Sequence, residues 1–549
     1  MKQLPAQAHL DHLKKQAKEL LRLYRSGDVT SIARFAQHLP AAANRTHYEI
    51  QALALRLHDA QSCIAREYGF ASWADLSAYV DANALAQRER HTLVQRWLGL
   101  VYGADVTGTY ATSRPRVAMT LLLEHPDMVE SDPYAACAAG HWKTIARAMA
   151  DDHNWIHRAG GPLKLPPLVA VTHSSLMQVP EIAQRLRQCA RALLDAGADP
   201  NQHIGNRLPP ASLSTPDESE PLSALYGAAG VVRDPALTEM LLDAGANPND
   251  GESLYHSLEN VDCTRLLLLR GARVTGSNAL WRALDMPDAA ALELLLAHGG
   301  NANESAPDGL KVWGTPLLRA IALRRSPRHI AALLAAGANA QARTEAGVSA
   351  YRLAAQVGLM DVAALLRDAG ASEPLTAEED FVSACARGDM TQARDIQMQR
   401  PDLPGSLSQD QLRLLPDAAA WGSSAAVRTM VELGWPLDAR GGDWQATALN
   451  HAVFRGDVEL TTFLLAHGAS WRDTHGYGSD VLGTLGWASE NEPAVEGHAD
   501  WVGCARVLMQ HGVPRAEHDP ERDDRVLIDG RHMVFSEDVS EVLLGRSSE

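Results

Sequence analysis

The sequence predicts an all-α array of repeated helix pairs, and three observations predict it. Apolar stretches end repeatedly on one glycine-containing signature, as in LLDAGADPN (193–201), LLDAGANPN (241–249) and LLAHGGNAN (295–303). A second glycine recurs midway between these endings, in AAGHW (138–142), QVGLM (356–360), ARGDM (386–390) and FRGDV (454–458). Ala and Leu dominate a chain that is 46% hydrophobic and 21% charged, and strand-formers in alternation are scarce. That bias favours helices packed closely through small residues. At 549 residues the chain is longer than one compact core usually spans, so an elongated array or several domains are expected.

Residues 1–85 read as a separate helical cap. Leu10, Leu13, Ala17, Leu20, Leu21 and Tyr24 keep helical spacing, Arg25-Ser-Gly-Asp-Val makes a turn, and a second helix ends near Pro40. One longer helix is expected over about 46–67, and Ser72 is placed as the N-cap of the next. Residues 86–130 form a degenerate helical lead-in containing TLLLEHPDMV (120–129).

The repeats themselves span 131–516. Their terminal glycines are Gly197, Gly245, Gly271, Gly299, Gly337, Gly370, Gly434, Gly468 and Gly512. Each is expected at a helix C′ position, where glycine takes the left-handed conformation most cheaply. The long gap from Gly370 to Gly434 hides one degenerate copy, in which Arg400–Pro401 replaces the glycine ending. Thr315, Ser349 and Thr447 precede the first helices and are placed as N-caps, with Pro316 suited to a first turn. Five of the six cysteines fall in register: Cys189, Cys263 and Cys504 lie eight residues before a terminal glycine, and Cys137 and Cys385 three before a central one. Other copies carry Val362, Leu460, Ala355 and Val453 there, so these cysteines are expected to pack in the core. The insertion at about 202–220, rich in Pro, Ser and acid, is expected to be a mobile surface loop. In 517–549, residues 525–535 alternate around Asp529-Gly530, which predicts a hairpin, followed by a helix capped by Ser536 and ended by Gly545: a small lid.

The Thr315-Pro-Leu-Leu-Arg-Ala start, the central glycine turn and the LLDAGANPN ending together resemble the ankyrin repeat. The resemblance implies an ankyrin-repeat solenoid of helix-turn-helix repeats with short β-hairpin fingers and a concave face used for partner proteins. DAQSCIAREYGFASWADLSAYV (59–80) resembles a module at the front of many bacterial ankyrin-repeat proteins. Residues 224–260 are similar to an element of one large bacterial ankyrin group.

The net charge of −17 argues against generic binding of nucleic acid or anionic membranes, which need a cationic surface. Residues 1–35 are locally basic, which reads as a solvated helix face or as a binding patch. No secretory leader, membrane-spanning stretch, CxxC or zinc spacing is found in the sequence, so a cytoplasmic protein without cofactor or metal is expected. The partner-binding candidates fall in two groups. Trp313, Trp444 and Trp471 sit in or beside fingers, where a Trp either anchors a partner or packs on the neighbouring finger. The trimmed fingers at 249–253 and 274–278 are expected to open a notch lined by Tyr226, His256 and Trp281, with Asp250, Glu252 and Arg282 nearby. The resemblance implies that a His at this motif position hydrogen-bonds a neighbouring turn. No nucleophile motif or phosphate loop is present. The expected function is therefore a non-catalytic, monomeric scaffold or adaptor for a protein with a basic patch. The alternatives are an inhibitor or immunity-type protein for one enzyme or toxin, an enzyme with a site in 224–284, and nucleic-acid binding by the N-terminal module.

Overall fold

The computed structural model describes residues 2, 4–5, 8–53, 55–86, 90–110, 112–306, 314–491, 493, 499–518 and 525–545. They divide into two compact units, Met1–Pro307 and Asp308–Glu549. Both are built from antiparallel helix pairs.

In the second unit the first helices are Pro316–Ala322, Ala350–Gln356, Ala377–Ala386, Leu414–Ala420, Ala448–Phe454 and Val481–Asn491. Their partners are Pro327–Ala335, Met360–Asp368, Met390–Gln399, Ser424–Glu432, Val458–Ala466 and Trp501–Gln510. Thr315, Ser349 and Thr447 each accept a hydrogen bond from the amide three residues on, as N-caps do. Neighbouring first helices pack side by side, and so do several second helices, which buries small residues such as Ala354, Ala355, Ala418 and Ala452. All nine terminal glycines have φ between +79° and +95°. In the degenerate copy the second helix ends at Gln399 with Arg400 as its cap.

The two glycine classes do different work. A Cβ on a terminal glycine such as Gly468 would meet open space. A Cβ on Gly140, Gly358, Gly388 or Gly456 would lie 2.6 to 3.1 Å from the next helix pair. The central glycine thus sets how closely successive pairs approach, and the terminal one only supplies the backbone sign. All six cysteines are buried and free.

The first unit opens with helices Leu10–Arg25 and Val29–His38. The expected helix over 46–67 is instead two helices, His47–Gln51 and Leu57–Glu67. The reason is local. The buried Tyr24 hydroxyl donates to the carbonyls of Ile50 and Leu53, which an uninterrupted helix would use itself. The Asp59 carboxylate then accepts from the Arg56 amide and starts the next turn. Ser72 caps helix Trp73–Ala86 through the Asp75 amide. That helix packs on Pro115–Glu124, where Tyr79 donates to Glu124 and Arg114 pairs with Asp75. The lead-in is helical, with fully buried Trp97 donating to the Ala118 carbonyl at 2.8 Å.

Two further expectations change. The insertion expected to be a mobile loop holds an antiparallel hairpin, His203–Asn206 with Asp217–Ser223. It is pinned by Arg207, whose buried guanidinium donates to the carbonyls of Val106, Leu163 and Lys164. Conversely, the expected finger hairpins appear among the described residues only as single bridges, Gly160 with Leu165, Arg343 with Ser349 and Gly441 with Ala446. The C-terminal hairpin pairs Val526–Ile528 with Arg531–Met533 through Asp529 and Gly530, both with positive φ. Glu517–His518 adds a third strand. Ser536 sits at the N-cap of Glu537–Leu543 without a side-chain capping bond.

Candidate functional site

The notch expected around 224–284 is largely filled. Tyr226 is 8% exposed, and its hydroxyl donates to Asp105 Oδ2 at 3.1 Å. Its ring lies between His173 and His256, with centroids 5.6 and 5.2 Å away. Burial holds the His173 imidazole at about 4 and keeps the Tyr226 phenol well above its ordinary value, so both are neutral near pH 7. Glu252 pairs with His256 at 3.2 Å on one helix face. Asp250 accepts from the Ser223 and Ser253 hydroxyls and from the amides of Glu252 and Ser253, which makes it a cap for the shortened loop. Arg282 pairs with Glu259 at 2.9 Å and lies over the Tyr255 ring.

Trp281 does not join this group. It is 2% exposed and so does not line an open notch as expected. Trp471 is likewise 7% exposed, buried in the hydrophobic cluster of the second unit with Arg472 stacked on its ring. Neither ring is available as a surface anchor. Trp313 lies outside the described residues.

An open concavity lies in the second unit, a groove of about 1110 Å³. Its floor is built by first helices of successive pairs, through Arg319, Leu353, Val382, Leu414 and His451 among others. One wall is the loop Gly442-Asp443-Trp444. The Trp444 ring meets His451, Phe454 and His475 at 4.8, 5.5 and 4.9 Å, so it both packs on its own repeat and lines the groove. Phe454 stacks on Trp487, which is 54% exposed. Trp421 lines the groove with the Arg324 guanidinium 4.6 Å above its ring. Burial lowers the His451 imidazole to about 4, and its Nε2 lies 3.4 Å from the Gly441 carbonyl oxygen. Burial raises the Asp417 carboxyl, which accepts from the Gly442 amide at 2.6 Å.

Part of the groove lies in the stretch that matches a known family. Residues 415–465 match the family model of ankyrin repeats (many copies). Over this stretch the chain is similar to ankyrin repeats. The matched residues comprise two helix pairs with their turn glycines, and they include Asp417, Trp421, Trp444, His451 and Phe454 of the groove. No curated protein matches the chain. The crystal structure of the ankyrin repeat domain of Bcl-3, a unique member of the IkappaB protein family, is 20% identical and covers 44% of this chain and 89% of its own, with a TM-score of 0.20. The human ASB11 ankyrin repeat domain is also 20% identical, covers 43% and 98%, and has a TM-score of 0.21. Scores of that size do not establish a common arrangement.

Trp421, Phe454 and Trp487 are groove or rim residues that sequence reasoning passed over. A signal for the first two was available. In four repeats the two residues before the left-handed turn position line the groove: Ala322 and Leu323, Gln356 and Val357, Ala420 and Trp421, Phe454 and Arg455. The turn residues are Arg324, Gly358, Gly422 and Gly456, all with positive φ. The first of these was hidden because an arginine occupies the turn. Ankyrin repeats generally serve protein–protein interaction. Among the described residues no three His, Cys, Asp or Glu side chains are grouped to hold a metal, and no helix is long and apolar enough to cross a membrane.

Proposed function

We propose that the chain is a non-catalytic scaffold or adaptor that holds a partner protein in the ankyrin groove of residues 319–455. The observation that carries this reading is the run of aromatic side chains, Trp421, Trp444 and Phe454, along a concavity that several successive repeats build together. Aromatic rings give large contact area with little rotamer entropy to lose, and they dominate protein interfaces for that reason. Rigid repeats present them already in place, which lowers the entropic cost of binding. Outside the groove the acidic surface favours a partner with a basic patch, and the chain acts as a monomer in the cytoplasm.

The test is affinity capture from the native lysate with the intact chain and with Trp444→Ala, after both give the same thermal midpoint. A partner held in stoichiometric amount is expected to bind the variant on the order of tenfold to a hundredfold more weakly, as loss of one interface hot spot does. Equal recovery by the two proteins would remove the groove from the interface.

A further inference from the structure

The charge inside the groove runs against the charge of the protein around it. Residues 308–549 carry 22 Lys and Arg against 34 Asp and Glu. The groove lining reverses the balance, with Arg319, Arg325, Arg413 and Arg455 against Asp410, Asp417 and Asp443. The placement of these groups sharpens the contrast. Asp410 and Asp443 are exposed, and Asp417 already accepts the Gly442 amide at 2.6 Å. Arg319 is only 9% exposed, and Arg413 and Arg455 are half-buried. The Arg413 guanidinium forms no hydrogen bond among the described residues, and its charge acts on Asp417 four residues on. The interior of the groove is therefore cationic and aromatic, and its edge is acidic.

Resting on the protein-binding reading above, we infer that the groove takes an acidic peptide segment of the partner, a carboxylate meeting Arg413 and an apolar or aromatic neighbour lying against Trp421 and Phe454. Guanidinium groups bind carboxylates through paired N–H donors, and a partly dry groove strengthens each such bond. A long polyanion is disfavoured, because the surrounding unit is strongly acidic and repels extended negative charge. One or two carboxylates avoid that repulsion, since charges beyond about 8 Å are screened at physiological salt while contacts in the groove are not. The acidic edge adds specificity: basic residues flanking the anchor would be attracted there, and a wholly acidic segment would be rejected.

The experiment is selection of random short peptides displayed on phage against the full-length chain, followed by binding titration of the enriched peptides on intact protein, Arg413→Glu and Trp421→Ala. Peptides enriched in Asp or Glu next to an aromatic or aliphatic residue are expected. Their affinity should fall about tenfold or more on Arg413→Glu, the scale of losing one charge-assisted contact. Enriched peptides that are basic or neutral, sensitive to Trp421→Ala but not to Arg413→Glu, would overturn the acidic occupant and leave the groove as the binding site. Peptides insensitive to both variants, or no enrichment at all, would count against the groove reading itself. Because Arg413 is half-buried at the N-cap of Leu414–Ala420, each variant's thermal midpoint is measured alongside, and Arg413→Gln serves where the charge reversal impairs folding.

Discussion

Gly456→Ala is expected to destabilise residues 308–549 by roughly 3 kcal/mol, against about 1 kcal/mol for Gly468→Ala. Both glycines have positive φ, +65° and +95°, so both substitutions meet the same backbone penalty. Only the first also meets a neighbour. A Cβ at Gly456 would stand 2.6 Å from the Asp500 amide nitrogen and 2.9 Å from Ala499, both backbone-anchored, whereas a Cβ at Gly468 meets nothing. The clash falls where the Asp500 amide donates to the Gly456 carbonyl at 2.9 Å, so relieving it weakens the hydrogen bond that links two successive repeats. Urea unfolding of the two variants checks the ratio. Equal losses would mean that the central glycine is needed for its sign alone and that repeat spacing is set elsewhere.

Mild acid is expected to destabilise both units. His173 in the first unit and His451 in the second are buried, and burial holds each at about 4, below the ordinary 6.5. The folded state therefore binds fewer protons than the unfolded state between these values. The stability each histidine permits is complete above pH 6.5 and is lost as pH falls towards 4. At pH 5 the loss is about 2 kcal/mol per histidine relative to pH 7. His451→Gln should flatten the pH dependence of residues 308–549 and leave that of the first unit intact. A urea midpoint that does not move between pH 7 and pH 5 would contradict the buried, neutral state of both rings.

The repeat register was legible because the physics that ends a helix is local. Gly468 and Gly512 announce a left-handed C′ residue, Thr447 announces a cap, and both signals lie within a few residues of the event they control. The same locality explains the agreement at Cys263 and Cys504, which fill equivalent core slots. What failed depends on contacts far apart in the chain. The hairpin at 203–223 is held by Arg207 against carbonyls of residues 106, 163 and 164, and nothing in a stretch rich in Pro and Ser reports such a partner. The break between Gln51 and Leu57 is set by Tyr24 from another helix. Exposure was the hardest quantity to foresee. Trp281, Trp444 and Trp471 look alike as loop or helix-start residues, yet only Trp444 reaches an open groove. Whether a ring is covered depends on the length of the adjoining loops and on the next repeat, which its own neighbours in sequence do not encode.

Hydrogen exchange of the full chain, free and saturated with its captured partner, tests the central claim most directly. The expected result is new protection in the first helices and turns that line the groove, 319–325, 353–357, 413–421 and 442–455, with the outer helices Val458–Ala466 and Ser424–Glu432 unchanged. Protection confined to the outer helices, or to residues 1–85, would contradict it and move the binding surface away from the groove.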